Sequence, residues 1–320
     1  NYDFNWIFGD ELYEYDSGCS ENPSYQSDFD YYRGLAPFSE KEIESIRDLA
    51  IEKDFLLSIA YHSSRSGCVS EQVIYPWLWE EGKPSPDFQV IHELGQAIAG
   101  FIPTEDGITT YASLGSKSRR GNAHDWLYAK TGCIQYLIET GTSNMQPDSL
   151  DLIEDTIDRN LIGSFHLINR ASGNRTGLIG ADKYLIQGIV TDNISGNTLD
   201  ANVKILEMDG PMLSPRLCDE FGRYRRLLTS GTFTLEVSHK GYETYLEEDI
   251  VPSSASFVTR DISLSPLAEY TLSLFLNVPD PFDEEIILYA YHQWGIDTLA
   301  LMPGHNNFDL YQGEYDLLFF

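Results

Sequence analysis

DWLYAKTGCIQYLIE, residues Asp125 to Glu139, is the stretch from which the fold of this chain can be read. Its second half, Ile134 to Ile138, is a short apolar run of the kind that forms a buried strand, and it ends on a carboxylate. An ionised Glu139 in that position is costly unless it faces a metal or a cleft. A second such run, Phe55 to Tyr61 (FLLSIAY), is followed at once by His62.

Helical patterns lie around these two strands. Ser39 and Glu42 have the spacing of a capping box opening a helix over Lys41 to Lys53, with Ile43, Ile46, Leu49 and Ala50 on one face. Ser85-Pro86 marks the start of another, carrying Val90, Leu94, Ala97 and Ile98. A third runs from about Asp148 to Asn169, with Leu150, Ile153, Ile157, Leu161 and Phe165 at helical spacing. Strands alternating with helices predict an α/β unit over residues 1–175.

Beyond it the texture changes to short strands punctuated by turns: YLIQGIV from Tyr184, ANVKILE from Ala201, DEFGRYRRLL from Asp219 and SGTFTLEVSHKGYE from Ser230. That pattern predicts a small all-β sandwich over 183–265. Residues 266–320 add a further β segment, expected to dock on its neighbour or to form part of another sandwich.

The chain holds 21 Lys and Arg against 50 Asp and Glu, a net charge of −29. Such a surface repels phosphate backbones and anionic membranes, so neither nucleic acid nor membrane is an expected partner. No apolar run approaches the roughly 20 residues that span a bilayer. Cys19, Cys68, Cys133 and Cys218 form no C-x-x-C pair, so neither a zinc knuckle nor a redox dithiol is suggested. A Cys19–Cys68 disulfide is an expectation that requires an oxidising compartment.

The motifs resemble those of the zinc carboxypeptidases of the carboxypeptidase A-like superfamily, in the second half of their catalytic domain. His62-Ser63 followed by Tyr75-Pro76-Trp77 is similar to the family's His-Ser…Tyr-Pro-Trp/Tyr stretch, with a longer intervening loop. Asp125-Trp126-Leu127-Tyr128 through Glu139 resembles the Asp-Trp-x-Tyr…Gly…Tyr-Thr-x-Glu signature. Thr110 to Gly115 resembles the Tyr-x-x-x-Gly loop, although Ser116 to Asn122 lengthen the connection to Asp125. Asn1 to Trp6 and Ser20 to Glu40 resemble the segments that precede these. Further on, Gly188-Ile189-Val190, Ala201-Asn202-Val203, Asp219 to Tyr224 and Gly231 to Leu235 resemble the carboxypeptidase regulatory-like, or transthyretin-like, domain.

The resemblance implies a mixed-sheet carboxypeptidase fold with flanking helices, followed by all-β sandwich modules. It implies hydrolysis of C-terminal residues from peptides or proteins, with Zn2+ as cofactor, His62 as one metal ligand and Glu139 as general base. Tyr111 is implied as a substrate-binding tyrosine, while His124 and Leu78 line the side-chain pocket. An apolar Leu78 where basic-specific relatives carry an acid disfavours C-terminal Lys or Arg. Lys117, Arg119 and Arg120 leave an acidic or polar substrate side chain open, and peptidoglycan peptides are a further substrate class. On this register the H-x-x-E ligands and the Asn-Arg pair that grips the substrate carboxylate lie upstream of Asn1. The missing N-terminal half of the catalytic domain is therefore an expected partner. A secreted or periplasmic location is implied as well. The alternative reading is a catalytically inactive carboxypeptidase-like protein that binds protein or glycan.

Overall fold

A computed structural model of the chain describes residues 36–63, 70–76, 84–115, 122–142, 150–173, 183–278 and 286–319. Leu78, Cys19, Cys68, Lys117, Arg119, Arg120 and the segment Asn1 to Trp6 lie outside the described residues. The α/β part runs α1 (Lys41–Lys53), β1 (Leu57–Ser63), β2 (Gln72–Tyr75), α2 (Phe88–Phe101), β3 (Ala112–Gly115), α3 (Ala123–Thr131), β4 (Ile134–Thr140) and α4 (Leu150–Ser172). The sheet order is β1-β4-β2-β3. Strands β1 and β4 are parallel, β4 and β2 antiparallel, and β2 and β3 parallel, so the sheet is mixed.

Strand β4 sits inside this sheet, and its Ile134, Tyr136 and Ile138 are buried, as a short apolar run between two neighbours should be. The Tyr136 hydroxyl donates to the Ile91 carbonyl at 2.9 Å and so ties β4 to α2. Helix α3 feeds β4 through Gly132, whose φ of 81° lets its N–H close on the Tyr128 carbonyl.

Two helices differ from their sequence patterns. Helix α1 has the expected span, but its N-cap is Glu40, whose side chain makes no capping hydrogen bond, and Ser39 Oγ donates to the Glu40 carboxylate. Ile43 and Ala50 are buried while Ile46 and Leu49 are exposed. Helix α4 turns its face further. Leu150, Ile157, Leu161 and Phe165 are exposed, and Thr156, Asn160, Gly163, His166, Leu167 and Arg170 are inside. The reason is close packing on α2: a Cβ at Gly163 would lie 2.8 Å from Ile102 Cδ1, so only the glycine side of α4 fits there. Some of the polar groups on that side are bonded within the fold, as where Asn160 Nδ2 donates to the Thr156 carbonyl at 2.9 Å, while Asn160 Oδ1 is buried without a hydrogen bond.

The second part carries β5 (Leu185–Asp192), β6 (Asn202–Ile205), β7 (Arg223–Leu227), β8 (Phe233–Ser238), β9 (Tyr245–Ile250), β10 (Val258–Thr259) and β11 (Ile262–Leu264). One sheet is β10-β5-β11 with β7 on β5, and the other is β6-β8-β9. Alternation along β8 buries Phe233, Leu235 and Val237 between them. This core is continuous with that of the α/β part. At the joint Arg170 Nη2 donates to the carbonyls of Tyr184 at 2.9 Å and Leu228 at 2.7 Å. Strands β12 (Glu269–Leu276), β13 (Ile286–His292), β14 (Gly295–Leu301), β15 (Gly304–Tyr311) and β16 (Asp316–Phe319) complete the chain, as a β12-β15 ribbon and a β14-β13-β16 sheet. This segment docks on its neighbour: Lys240 pairs with Asp297, and the Leu267 N–H donates to the Gly241 carbonyl at 2.8 Å. Among the described residues no helix is long and apolar enough to cross a membrane.

The hairpin before β7 has a clear local cause. Asp219 Oδ1 accepts the backbone N–H groups of Phe221 at 2.9 Å and Arg223 at 2.8 Å. Gly222 completes the turn with φ 69°, and a Cβ there would lie 2.5 Å from the Val190 carbonyl oxygen. Replacing Gly222 by Ala is expected to cost about 2 kcal/mol or more in urea unfolding, from positive φ and backbone collision together. A loss below about 0.5 kcal/mol would contradict this account of the turn.

Candidate active site at the end of the mixed sheet

The parallel register of β1 and β4 sets Leu57 opposite Ile134 and, five residues on, His62 opposite Glu139. Neighbouring residues in a register point to the same face of a sheet. The two side chains therefore meet: His62 Nδ1 lies 3.1 Å from Glu139 Oε2. Their surroundings differ, since the Glu139 side chain is 9% exposed and the His62 side chain 63%. The carboxylate sits back at the end of its strand and the imidazole lies over it toward solvent. Thr140 Oγ1 donates to the His62 carbonyl at 3.0 Å, which locks the two strand ends together.

Strand β2 runs antiparallel to β4 and places Gln72 beside Glu139. The residue before it, Glu71, has φ 51° and accepts Arg159 Nη1 at 3.3 Å and the Glu105 N–H at 2.5 Å. Arg159 reaches across from α4 and also donates to the Pro103 carbonyl at 3.0 Å. Tyr111 sits at this same end of the sheet, just ahead of β3. It is 4% exposed, and its hydroxyl accepts the Gly141 N–H at 3.3 Å and Asn160 Nδ2 at 3.4 Å. In this structure the tyrosine is held inward, on the backbone two residues beyond Glu139. The Glu71–Arg159 pair and Asn160 carry no motif signal, because α4 is far from β2 in sequence and only folding brings them together.

His124 occupies the first turn of α3 and is 3% exposed. Asp125 Oδ1 lies 3.5 Å from its Nε2, but Nε2 makes no hydrogen bond. Burial therefore outweighs the nearby carboxylate and pushes the imidazole down to about 4. His124 is neutral in the folded protein at neutral pH, which gives a pH dependence with a definite sign. Unfolded, the same side chain takes its proton near pH 6.5. As pH falls from about 6.5 to about 4 the unfolded chain binds the proton first, and stability fully present above that window is lost, by up to ~3 kcal/mol. Comparison of urea unfolding at pH 7 and pH 4.5 should show a smaller fall for His124→Gln than for the parent. An equal fall in both would contradict the buried neutral imidazole.

His62 has the donor chemistry of a transition-metal ligand. Among the described residues, however, no group of three His, Cys, Asp or Glu side chains is placed to hold a metal ion. The described residues place one imidazole, that of His62, next to the carboxylate of Glu139.

No curated protein matches the chain. Among solved structures, the Bacillus anthracis TIE protein is similar at 18% identity over 42% of this chain and 28% of its own, with a TM-score of 0.21. A streptococcal ancillary pilin is similar at 11% identity over 42% of this chain and 52% of its own, with a TM-score of 0.26. A DUF3823 family protein from Bacteroides ovatus is similar at 15% identity over 40% of this chain and 81% of its own, with a TM-score of 0.18. The chain thus covers about a quarter of the first of these and half of the second, and at such TM-scores the likenesses carry no weight. The family comparison does: the zinc carboxypeptidase model matches residues 1–160, half of the 320 residues and the part that holds the His62–Glu139 pair. With its mixed sheet and that match, the chain belongs to the zinc carboxypeptidase family.

Proposed function

We propose that this chain carries part of the catalytic centre of a metallocarboxypeptidase, which removes C-terminal residues from peptides or proteins. The observation that supports the reading is the 3.1 Å approach of His62 and Glu139 at the ends of two parallel strands. Glu139 is the general base. Its carboxylate takes a proton from the attacking water as the oxygen adds to the scissile carbonyl carbon, and the same proton passes to the departing amine as the C–N bond breaks. Zinc, when bound, supplies Lewis-acid polarisation of that water and carbonyl, with His62 as one of its ligands and the others from outside the described residues. His62 holds Glu139 in place through the Nδ1 contact and so fixes the direction of the proton transfer.

Substrate contacts lie at the same end of the sheet. Tyr111 is the candidate for binding the substrate terminus, which requires its hydroxyl to leave Asn160 and Gly141, and His124 and Leu78 are candidates for the side-chain pocket. The unpaired outer edge of β1 among the described residues, with the exposed apolar face of α4, supports docking of the rest of the catalytic domain. A secreted or periplasmic location fits the acidic surface.

The test is hydrolysis of a peptide C-terminus by the complete protein and by its Glu139→Gln variant. The variant should lose about 10²-fold to 10⁴-fold in kcat, with zinc content and thermal midpoint unchanged. Residues 1–320 alone should be inactive and should gain activity when the remainder of the domain is supplied. Retained activity in Glu139→Gln would overturn the proposal, and an inactive complete protein that binds peptide or glycan would favour a binding role.

A further inference from the structure

A cavity of about 510 Å³ opens where the β-sandwich leans on α3, between β6, the turn after it and β7. Its lining is unusual for so acidic a chain. Lys204, Arg216 and Arg226, three of the 21 basic residues, face it together with one carboxylate, Asp209.

The three cations are compensated to different degrees. Lys204 Nζ stands 3.7 Å from Asp209 and 3.5 Å from Glu236, which balances it. Arg216 is used to hold the joint: its Nη2 donates to the Tyr128 carbonyl at 2.6 Å and its Nη1 to the Ala129 carbonyl at 3.4 Å, while its guanidinium lies 5.6 Å from the Tyr128 ring. Carbonyls accept hydrogen bonds but bring no net charge, and the carboxylates that act on Arg216 are Asp87 and Asp54. Arg226 makes one hydrogen bond among the described residues, from Nη1 to the Val203 carbonyl at 3.0 Å. Its nearest carboxylate, Asp87, is 3.9 Å from Nη2, beyond hydrogen-bonding distance, and Asp87 Oδ1 is buried with no hydrogen bond. Burial raises the Asp87 carboxyl, against Arg226 and Arg216, which act to lower it. Burial first, and then Arg226, lower the Arg216 guanidinium, while Asp87 and Asp54 act on it in the opposite direction.

Two guanidinium groups line one cavity, and the second has N–H groups beyond the one it gives to Val203, which is the donor chemistry that suits an oxyanion. We propose that this cavity binds a small organic molecule through a carboxylate or phosphate group, with Arg226 as the hydrogen-bonding anchor and Arg216 supplying charge. Its volume exceeds that of a bare inorganic ion, so the ligand carries an organic body that fills the remainder against Ile205 and Leu213. The site is separate from the His62–Glu139 pair and does not rest on the hydrolytic reading.

The test is calorimetric titration of the protein with inorganic phosphate and with citrate, in sodium chloride matched for ionic strength. Saturable binding of at least one probe is expected, and which probe binds distinguishes phosphate from carboxylate recognition. Arg226→Gln should weaken binding by more than about tenfold, and Arg226→Lys, which keeps the charge but loses the planar fork, by several-fold. If Arg226→Gln does not fold, Arg226→Lys alone decides. No saturable heat from either probe, or unchanged affinity in the folded variants, overturns the proposal.

Discussion

The parallel pairing of β1 with β4 is the constraint on which the rest depends. Shifted by one residue, it would turn His62 and Glu139 to opposite faces, because side chains alternate along a strand. The register is held by the burial of Ile134, Tyr136 and Ile138 on β4 and by the Tyr136 hydroxyl on the Ile91 carbonyl. Hydrophobic burial far from the strand ends thus sets the position of two polar groups at them. The buried carboxylate gains from this, since an acceptor with little access to water needs a donor close by.

A comparable device operates at the joint between the α/β part and the sandwich. Arg170 from α4 and Arg216 from the sandwich each cross the boundary and end on backbone carbonyls of the other part. Gly132 belongs to this arrangement as well, since a Cβ there would lie 2.8 Å from Arg216 Nε. The glycine therefore both ends α3 and makes room for the arginine, which links the helix leading into β4 to the sandwich. Contacts of charged donors with carbonyls secure geometry without themselves bringing a counter-charge.

Much of the α/β layout could be read from the sequence because its strands are short apolar runs and its helices have regular periods. The spans of α1 and β4 come directly from such patterns, and the strand-end positions of His62 and Glu139 identify them as candidates. Their contact could not be read, because neither strand encodes which strand lies beside it. Helix α4 shows where periodicity fails: its apolar side faces out, and its inner side is chosen by Gly163 and by polar groups with specific partners. A count of apolar residues carries no information about close approach to a neighbouring helix. Arg159 with Glu71, and Arg226 with Asp87, are likewise visible only once distant segments meet.

The central claim is that His62 and Glu139 act as one unit in hydrolysis. The most direct measurement is a double-mutant cycle on kcat/KM for a C-terminal peptide bond, with His62→Ala, Glu139→Gln and both together in the complete protein. Residues that act as a unit are non-additive, so the double variant should be no slower than the slower single variant. Losses that multiply would show two independent side chains and contradict the account.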